Sequence, residues 1–215
     1  MRETAAPELG DRVLLAIDTA LGTSVALGAG GRVVEVGSED PRGHAEAVGP
    51  LLAEVFATSG IAPAAVTAVV AGVGPGPFTG LRVGIAAAHA FAVGRGVPLL
   101  PLQGHEAVAL DVLERGAAPA VRVVQDARRR ELFVTDFGSL DWAGIPVRDA
   151  GPRLVARADH EAAPHEVWPE RIPAARLVQL AARRLASGRG FEPDRALYLR
   201  APDVARPGAP KRVTP

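Results

Sequence analysis

The stretch Val66-Thr-Ala-Val-Val-Ala-Gly-Val73, then Gly74-Pro-Gly-Pro-Phe-Thr-Gly80, then Leu81-Arg-Val-Gly-Ile-Ala-Ala-Ala-His-Ala-Phe-Ala-Val-Gly94, decides the fold. The first part is an almost unbroken apolar run, which suits a strand covered on both faces. Glycine and proline then force a loop, and Leu81 to Gly94 reads as a helix. Val97 to Leu102 supplies the next apolar strand.

Upstream, Val13 to Ile17 is a short apolar run that turns at Asp18 to Gly22. Thr23 to Gly28, a Gly30-Gly31 turn and Arg32 to Gly37 follow, so two adjacent hairpins are expected. From His44 the period becomes helical, with Val48, Leu51, Leu52, Val55 and Phe56 on one face, Pro50 as a kink and Gly60 as a stop. The resulting order, β-β-β-α-β-α-β, is that of the ribonuclease H-like half of actin-like proteins. A second block begins with a helix around His105 to Glu114. It continues with a strand from Val121 to Gln125, a tight Arg128-Arg129-Arg130 turn and a strand from Glu131 to Phe137. The expected fold is therefore α/β with two ribonuclease H-like (actin-like, ASKHA) lobes, residues 13–102 and an abbreviated 103–202. Flexible tails are expected over 1–12 and 203–215. Between Asp141 and Pro173 only a short strand near Leu154 is legible. A last helix, Ala174 to Leu185, is expected within the second lobe and ends at Gly188 and Gly190.

Composition narrows the chemistry. The 215 residues contain no cysteine, which removes disulfides, thiolate metal sites and cysteine nucleophiles. Twenty-four basic residues balance 24 acidic ones, so the chain as a whole exerts no long-range pull on nucleic acid. The N-terminus lacks the apolar core of a signal peptide, and no apolar stretch reaches the ~18 residues of a membrane span. The expected location is the cytoplasm, with no membrane partner.

The loop residues Gly74, Gly76, Phe78, Thr79 and Gly80 precede a helix, where backbone amides can cradle an anion. They lack both the Gly-Lys-Ser/Thr ending of a P-loop and the G-x-G-x-x-G spacing of a dinucleotide site. The structural reading is a tight turn with Thr79 capping the helix. Asp18 and Thr19, after the first strand, are candidates for contacting the phosphate or magnesium of a nucleotide. Against that, no paired-glycine adenosine loop follows a later strand, and a local turn around Asp18 is the favoured reading. Asp126 and Glu131 read as a charged hairpin tip rather than an acid–base pair. Arg128 to Arg130 read as a solvated turn, with tRNA phosphate contact as the alternative. His160 and His165 read as surface residues. Gly84 and Ala88, flanked by Ala87 and Phe91, form a small-residue stripe that faces either a partner helix or the chain's own sheet.

Several strings taken together resemble the bacterial TsaB (YeaZ) family over residues 13 to 204: Leu15-Ala-Ile-Asp-Thr-Ala20, the proline-containing helix from His44 to Leu52, Gly74-Pro-Gly-Pro-Phe-Thr-Gly-Leu-Arg-Val-Gly84, Asp126-Ala-Arg128 with Glu131, and Tyr198-Leu-Arg-Ala-Pro-Asp203. Pro77 and Ala20 depart from the family pattern, where small or hydroxyl residues are usual. The resemblance implies a non-catalytic paralogue of TsaD, the enzyme that transfers a threonylcarbamoyl group to N6 of the adenosine beside the tRNA anticodon. It implies a scaffold that pairs with TsaD, or with itself in isolation, admits the ATPase TsaE, and meets tRNA only through the complex. The implied contact surface is carried by the first-lobe helices, at His44, Val48, Leu51, Leu52, Val55, Leu81, Gly84, Ala88 and Phe91. No catalytic residue, cofactor or metal is expected. TsaD-like enzymes carry a metal-binding His-x-x-x-His on the helix opening the second lobe, whereas here His105 is followed by Ala109. The alternatives are a stand-alone ATP-dependent phosphotransferase of the actin-like superfamily and a metallopeptidase.

Overall fold

The computed structural model describes residues 2–38, 40 and 43–200; the expected tail at 203–215 and the end of the Tyr198 to Asp203 string lie outside them. Four strands and a helix open the chain: β1 (Arg2–Ala5), β2 (Leu14–Asp18), β3 (Thr23–Ala29), β4 (Arg32–Ser38) and α1 (His44–Ser59). After them come β5 (Ala68–Gly72), α2 (Phe78–Arg95) and β6 (Leu99–Leu102). In β2 every residue is buried, yet successive side chains enter different cores, because neighbours on a strand point to opposite faces. Leu14 and Ala16 join one apolar cluster, and Leu15 and Ile17 join the other. Such a strand belongs inside a sheet, and the order is β1-β4-β3-β2-β5-β6, with β5 parallel to both β2 and β6.

One face of this sheet is covered by α1 and α2, which bring Leu51, Val55, Ala88 and Ala92 onto Leu15, Ile17, Val25 and Val69. Both helices end at a glycine in the left-handed region, Gly60 (φ 69°) and Gly96 (φ 66°), the conformation glycine adopts at least cost. The other face is covered by α4 (Ala174–Ser187), whose Leu177, Val178, Leu180 and Ala181 meet Leu14, Ala16 and Ala26. Its first N–H, at Ala174, donates to the buried Glu35 carboxylate on β4 at 3.0 Å, placing negative charge at the helix N-terminus. The amphipathic period of α4 was legible, but its place was not. Although it follows the second sheet in sequence, it packs on the first sheet and on α3.

The second sheet is smaller. α3 (Gly104–Glu114) leads into β7 (Val121–Asp126), β8 (Glu131–Leu140), β9 (Pro146–Ala156) and β10 (Glu166–Val167), in the order β10-β7-β8-β9. The molecule is thus a mixed α/β structure with two sheets. Two expectations are corrected. Residues 2–12, within the expected tail at 1–12, are not loose: β1 pairs antiparallel with β4, and Leu9 is buried in the core. The short strand near Leu154 is an 11-residue strand whose charged composition fits its place at the sheet edge.

Candidate functional site

Where β2 ends, the chain turns sharply under the start of α2, and this turn fixes the helix that carries the expected interface. Thr19 is fully buried, and its hydroxyl donates to the carbonyl of Gly80 at 2.6 Å and accepts the N–H of Gly84 at 2.9 Å. It stands between two groups that an uninterrupted α-helix would pair with each other. Only glycine permits this approach. A Cβ at Gly80 would lie 2.6 Å from the Thr19 carbonyl oxygen, and one at Gly84 would fall on the Thr19 hydroxyl.

Asp18 is equally buried. One carboxyl oxygen accepts the N–H of Ala20 at 2.8 Å, while the other has no hydrogen-bond partner and lies against Gly72 and Gly104, where a Cβ would collide with it or crowd it. Burial pushes this carboxyl up to about 7, opposed by the bond from Ala20.

The first turn of α3 joins the two sheets. His105, wholly buried, has Nδ1 2.8 Å from the hydroxyl of Thr135 on β8 and Nε2 3.1 Å from Oε1 of Gln125 on β7. Gln125 donates its amide to the carbonyl of Ala20 at 3.1 Å. With that amide so used, Nε2 of His105 is the donor to Gln125, and Nδ1 accepts from Thr135. Burial holds the imidazole down to about 4, with the Gln125 bond working the other way, so the ring is neutral near pH 7. A neutral histidine bonded through both nitrogens has no lone pair left for a metal. Among the described residues, no group of three or more His, Asp and Glu side chains is placed to hold one.

On the surface, the Gly74 to Thr79 loop faces the β7–β8 turn across a cleft of about 330 Å³, closed by Tyr198, Leu199 and Arg200. Phe78 and Tyr198 pack at 4.9 Å, and Arg82 lies over the Phe78 ring while donating to the Tyr198 hydroxyl at 3.0 Å. Arg200 grips the turn through the carbonyls of Ala127 and Arg128 and the Glu131 carboxylate. Arg128, Arg129 and Arg130 all take left-handed conformations, with φ of 63°, 55° and 62°, a region that disfavours residues bearing a Cβ.

Residues 35–169, more than half of the chain, match the family model described as TsaD: tRNA N6-adenosine threonylcarbamoyltransferase. The chain belongs to the TsaD family, in its TsaB/YeaZ branch. The tRNA threonylcarbamoyladenosine biosynthesis protein TsaB of Haemophilus influenzae is 36% identical over 143 residues, 61% of each chain. The Escherichia coli protein of the same name is 33% identical over 125 residues, covering 58% of this chain and 54% of that one. The solved structure of YeaZ from Pseudomonas aeruginosa superposes with a TM-score of 0.75 at 26% identity, over 87% of this chain and all of that one. The alignments thus span 54–61% of the length of these two curated relatives.

Within this TsaB/YeaZ chain, the residues picked out from sequence separate into groups. Leu51, Val55, Leu81, Gly84 and Ala88 are buried in the chain's own core and offer nothing to a partner. Gly84 therefore faces inward onto the turn at Thr19, and Ala88 onto the apolar cluster with Leu15, Ile17 and Val69. His44, Val48, Leu52 and Phe91 remain partly exposed, although His44 Nδ1 lies 3.0 Å from the hydroxyl of Thr23. Asp18 and Thr19, considered as nucleotide contacts, are sealed from solvent. Of the loop residues, Gly74, Gly76 and Gly80 are buried, whereas Phe78 and Thr79 are exposed in the first turn of α2. Thr79 does not cap that helix, because Pro77 occupies the capping position. The Gln125 and Thr135 partners of His105 went unnoticed in the sequence. Their spacings of 20 and 30 residues from it carry no local signal.

Proposed function

We propose that this chain is a scaffold and activating subunit. It pairs with TsaD and admits TsaE in the complex that transfers a threonylcarbamoyl group to N6 of the adenosine beside the tRNA anticodon. It performs no step of that transfer, works in the cytoplasm, self-associates when TsaD is absent, and meets tRNA only within the complex. Its two sheets are read as ribonuclease H-like lobes, the second abbreviated. The observation that carries this reading is the outer strip of α1 and α2. Val48, Leu52 and Phe56 on α1 recur every four residues and stay half-buried. On α2, Val83, Ala86, Ala87, Ala90 and Phe91 lie at helical spacing, with Ala86 and Ala90 exposed. Phe56 and Phe91 stack at 5.7 Å and join the two strips. A partly uncovered apolar band edged by alanines permits close approach of another helix pair.

The phosphotransferase alternative drew on Asp18 and on the duplicated lobes. A carboxyl buried against two glycines, with its neighbouring hydroxyl inserted into α2, is badly placed to hold magnesium or phosphate. The metallopeptidase alternative is weakened by the fully bonded, neutral His105.

Co-expression with TsaD from the same organism, followed by size-exclusion chromatography, tests the surface. Ala86→Arg and Ala90→Arg point outward and should abolish the heterodimer while leaving the monomer folded. A heterodimer retained in both would remove α2 from the interface. Gly84→Leu is the wrong probe, since it strikes Thr19 inside the chain.

A further inference from the structure

We propose that the β7–β8 turn and the surface beside it, with Arg128, Arg129, Arg130, Arg157 and Trp168, form the face through which this chain holds the phosphate backbone of the tRNA. The inference rests on the subunit role and adds to it the part of the chain that meets the RNA.

The turn carries three arginines in succession, and all three are exposed. Each holds a positive φ, where a side chain with a Cβ is strained and glycine is at ease. Backbone strain of this kind gathers at binding and catalytic sites. The backbone of the turn is fixed at several points. The N–H of Ala127 donates to the carbonyl of Glu131 at 2.9 Å, and the N–H of Arg157 to the carbonyl of Arg130 at 2.7 Å. The N–H of Arg128 donates to Asp126 Oδ1 at 3.1 Å, and Arg200 donates to the carbonyls of Ala127 and Arg128. The guanidinium groups thus project from a rigid base, which lowers the ordering cost of binding.

Positive charge at the turn is only partly matched. Arg128 and Arg157 share Asp126, at 3.7 and 3.3 Å, and Glu131 is taken by Arg200. Arg130 has no side-chain partner among the described residues. Of the other acidic groups nearby, Asp159 follows Arg157 by two residues and is exposed, while Glu166 is engaged by His160 and the Trp168 indole. A guanidinium fork matches the oxygens of a phosphate bidentately. Trp168 favours nucleic acid over an acidic protein segment. Its ring is 46% exposed, and Arg157 links it to the turn, bonding Asp126 while lying 5.6 Å from the ring centroid. Aromatic and guanidinium faces stack unpaired bases, the feature by which RNA loops are recognised. Because the whole chain is balanced in charge, this patch holds RNA that TsaD brings close and does not capture it alone.

The test measures tRNA affinity of the purified complex of this chain with TsaD from the same organism, between about 50 and 200 mM salt. Arg130→Gly relieves a left-handed position, so a folding defect does not explain a loss of binding. Its complex with TsaD should form as before, bind tRNA about five- to tenfold more weakly at the low-salt end, and show a log–log salt slope smaller by about 1. The double variant Arg129→Gly/Arg130→Gly should lower the slope by about 2. Trp168→Ala should weaken binding with the slope unchanged, since stacking releases no counterions. Unlabelled tRNA should displace the bound tRNA, and polyglutamate at equal charge concentration should not. With the heterodimer intact, unmoved tRNA affinity in either Arg130→Gly or Trp168→Ala overturns this inference alone. Displacement by polyglutamate as readily as by tRNA overturns it in favour of an acidic protein partner. A wild-type chain that fails to pair with TsaD overturns it together with the subunit role.

Discussion

Replacing Thr19 by valine removes one oxygen and retains the branched shape, so it isolates what the hydroxyl does beneath α2. That oxygen satisfies two buried backbone groups, the carbonyl of Gly80 and the N–H of Gly84. A buried group left without its partner costs about 1–3 kcal/mol. The two cannot simply bond each other, because the added methyl occupies the hydroxyl's place between them. The expected loss is therefore about 2–6 kcal/mol, a large part of the ~5–15 kcal/mol by which such a domain is stable. Thr19→Ser gives the counterpart: it keeps both hydrogen bonds and loses one buried methyl, about 1 kcal/mol. Urea unfolding followed by circular dichroism, with the slope checked for constancy between variants, measures both. The reasoning fails if Thr19→Ser costs as much as Thr19→Val, since methyl packing would then outweigh the hydroxyl bridge. It fails equally if Thr19→Val costs less than about 1 kcal/mol.

Asp18 and His105 should tilt stability with pH in opposite senses. Between the ordinary carboxyl value of 3.8 and about 7, the unfolded chain has released a proton that folded Asp18 keeps, so stability falls as pH rises. Between about 4 and 6.5, the unfolded chain takes up a proton that folded His105 refuses, so stability falls as pH drops. The two largely offset each other in the wild type; Asp18→Asn should gain stability from pH 4 to 6.5 and His105→Phe should lose it, and melting curves across that range would expose matching profiles as a contradiction. Arg130→Gly, at an exposed left-handed position, should stabilise the chain by about 1 kcal/mol, read as a higher urea midpoint. Arg200→Ala should speed amide exchange over Ala127 to Glu131, because the turn loses the guanidinium that holds two of its carbonyls and Glu131; unchanged exchange would assign the turn's order to the hairpin alone.

The first sheet and its helices were readable because their signals are local. The short apolar run at Val13 to Ile17 and the glycine turns mark β2 to β4, helical spacing and Gly60 mark α1, and the apolar run at Val66 to Val73 marks β5. β1 was missed because Arg2–Ala5 has no apolar pattern; it is held by backbone pairing with β4, which leaves no trace in side-chain composition. Of β9 only the stretch near Leu154 was legible, for a related reason: residues 147–150 are exposed at the sheet edge, and Gly151-Pro152 interrupts the period. The glycine stripe on α2 posed a different difficulty. Gly80 and Gly84 announce that something approaches closely, but a sequence does not say whether a partner helix or the chain's own Thr19 arrives. The residues expected at the interface divide accordingly: Leu51, Val55, Leu81, Gly84 and Ala88 lie on the inward faces of α1 and α2, while His44, Val48, Leu52 and Phe91 stay partly exposed.

The subunit proposal is tested most directly by reconstituting threonylcarbamoyl transfer to tRNA from purified TsaD and TsaE of the same organism, with and without this chain. The account predicts transfer with the wild-type chain, none without it, and a loss with Ala90→Arg that tracks the loss of the heterodimer. Full transfer by TsaD and TsaE alone, or undiminished support from an Ala90→Arg chain that no longer pairs with TsaD, would contradict it.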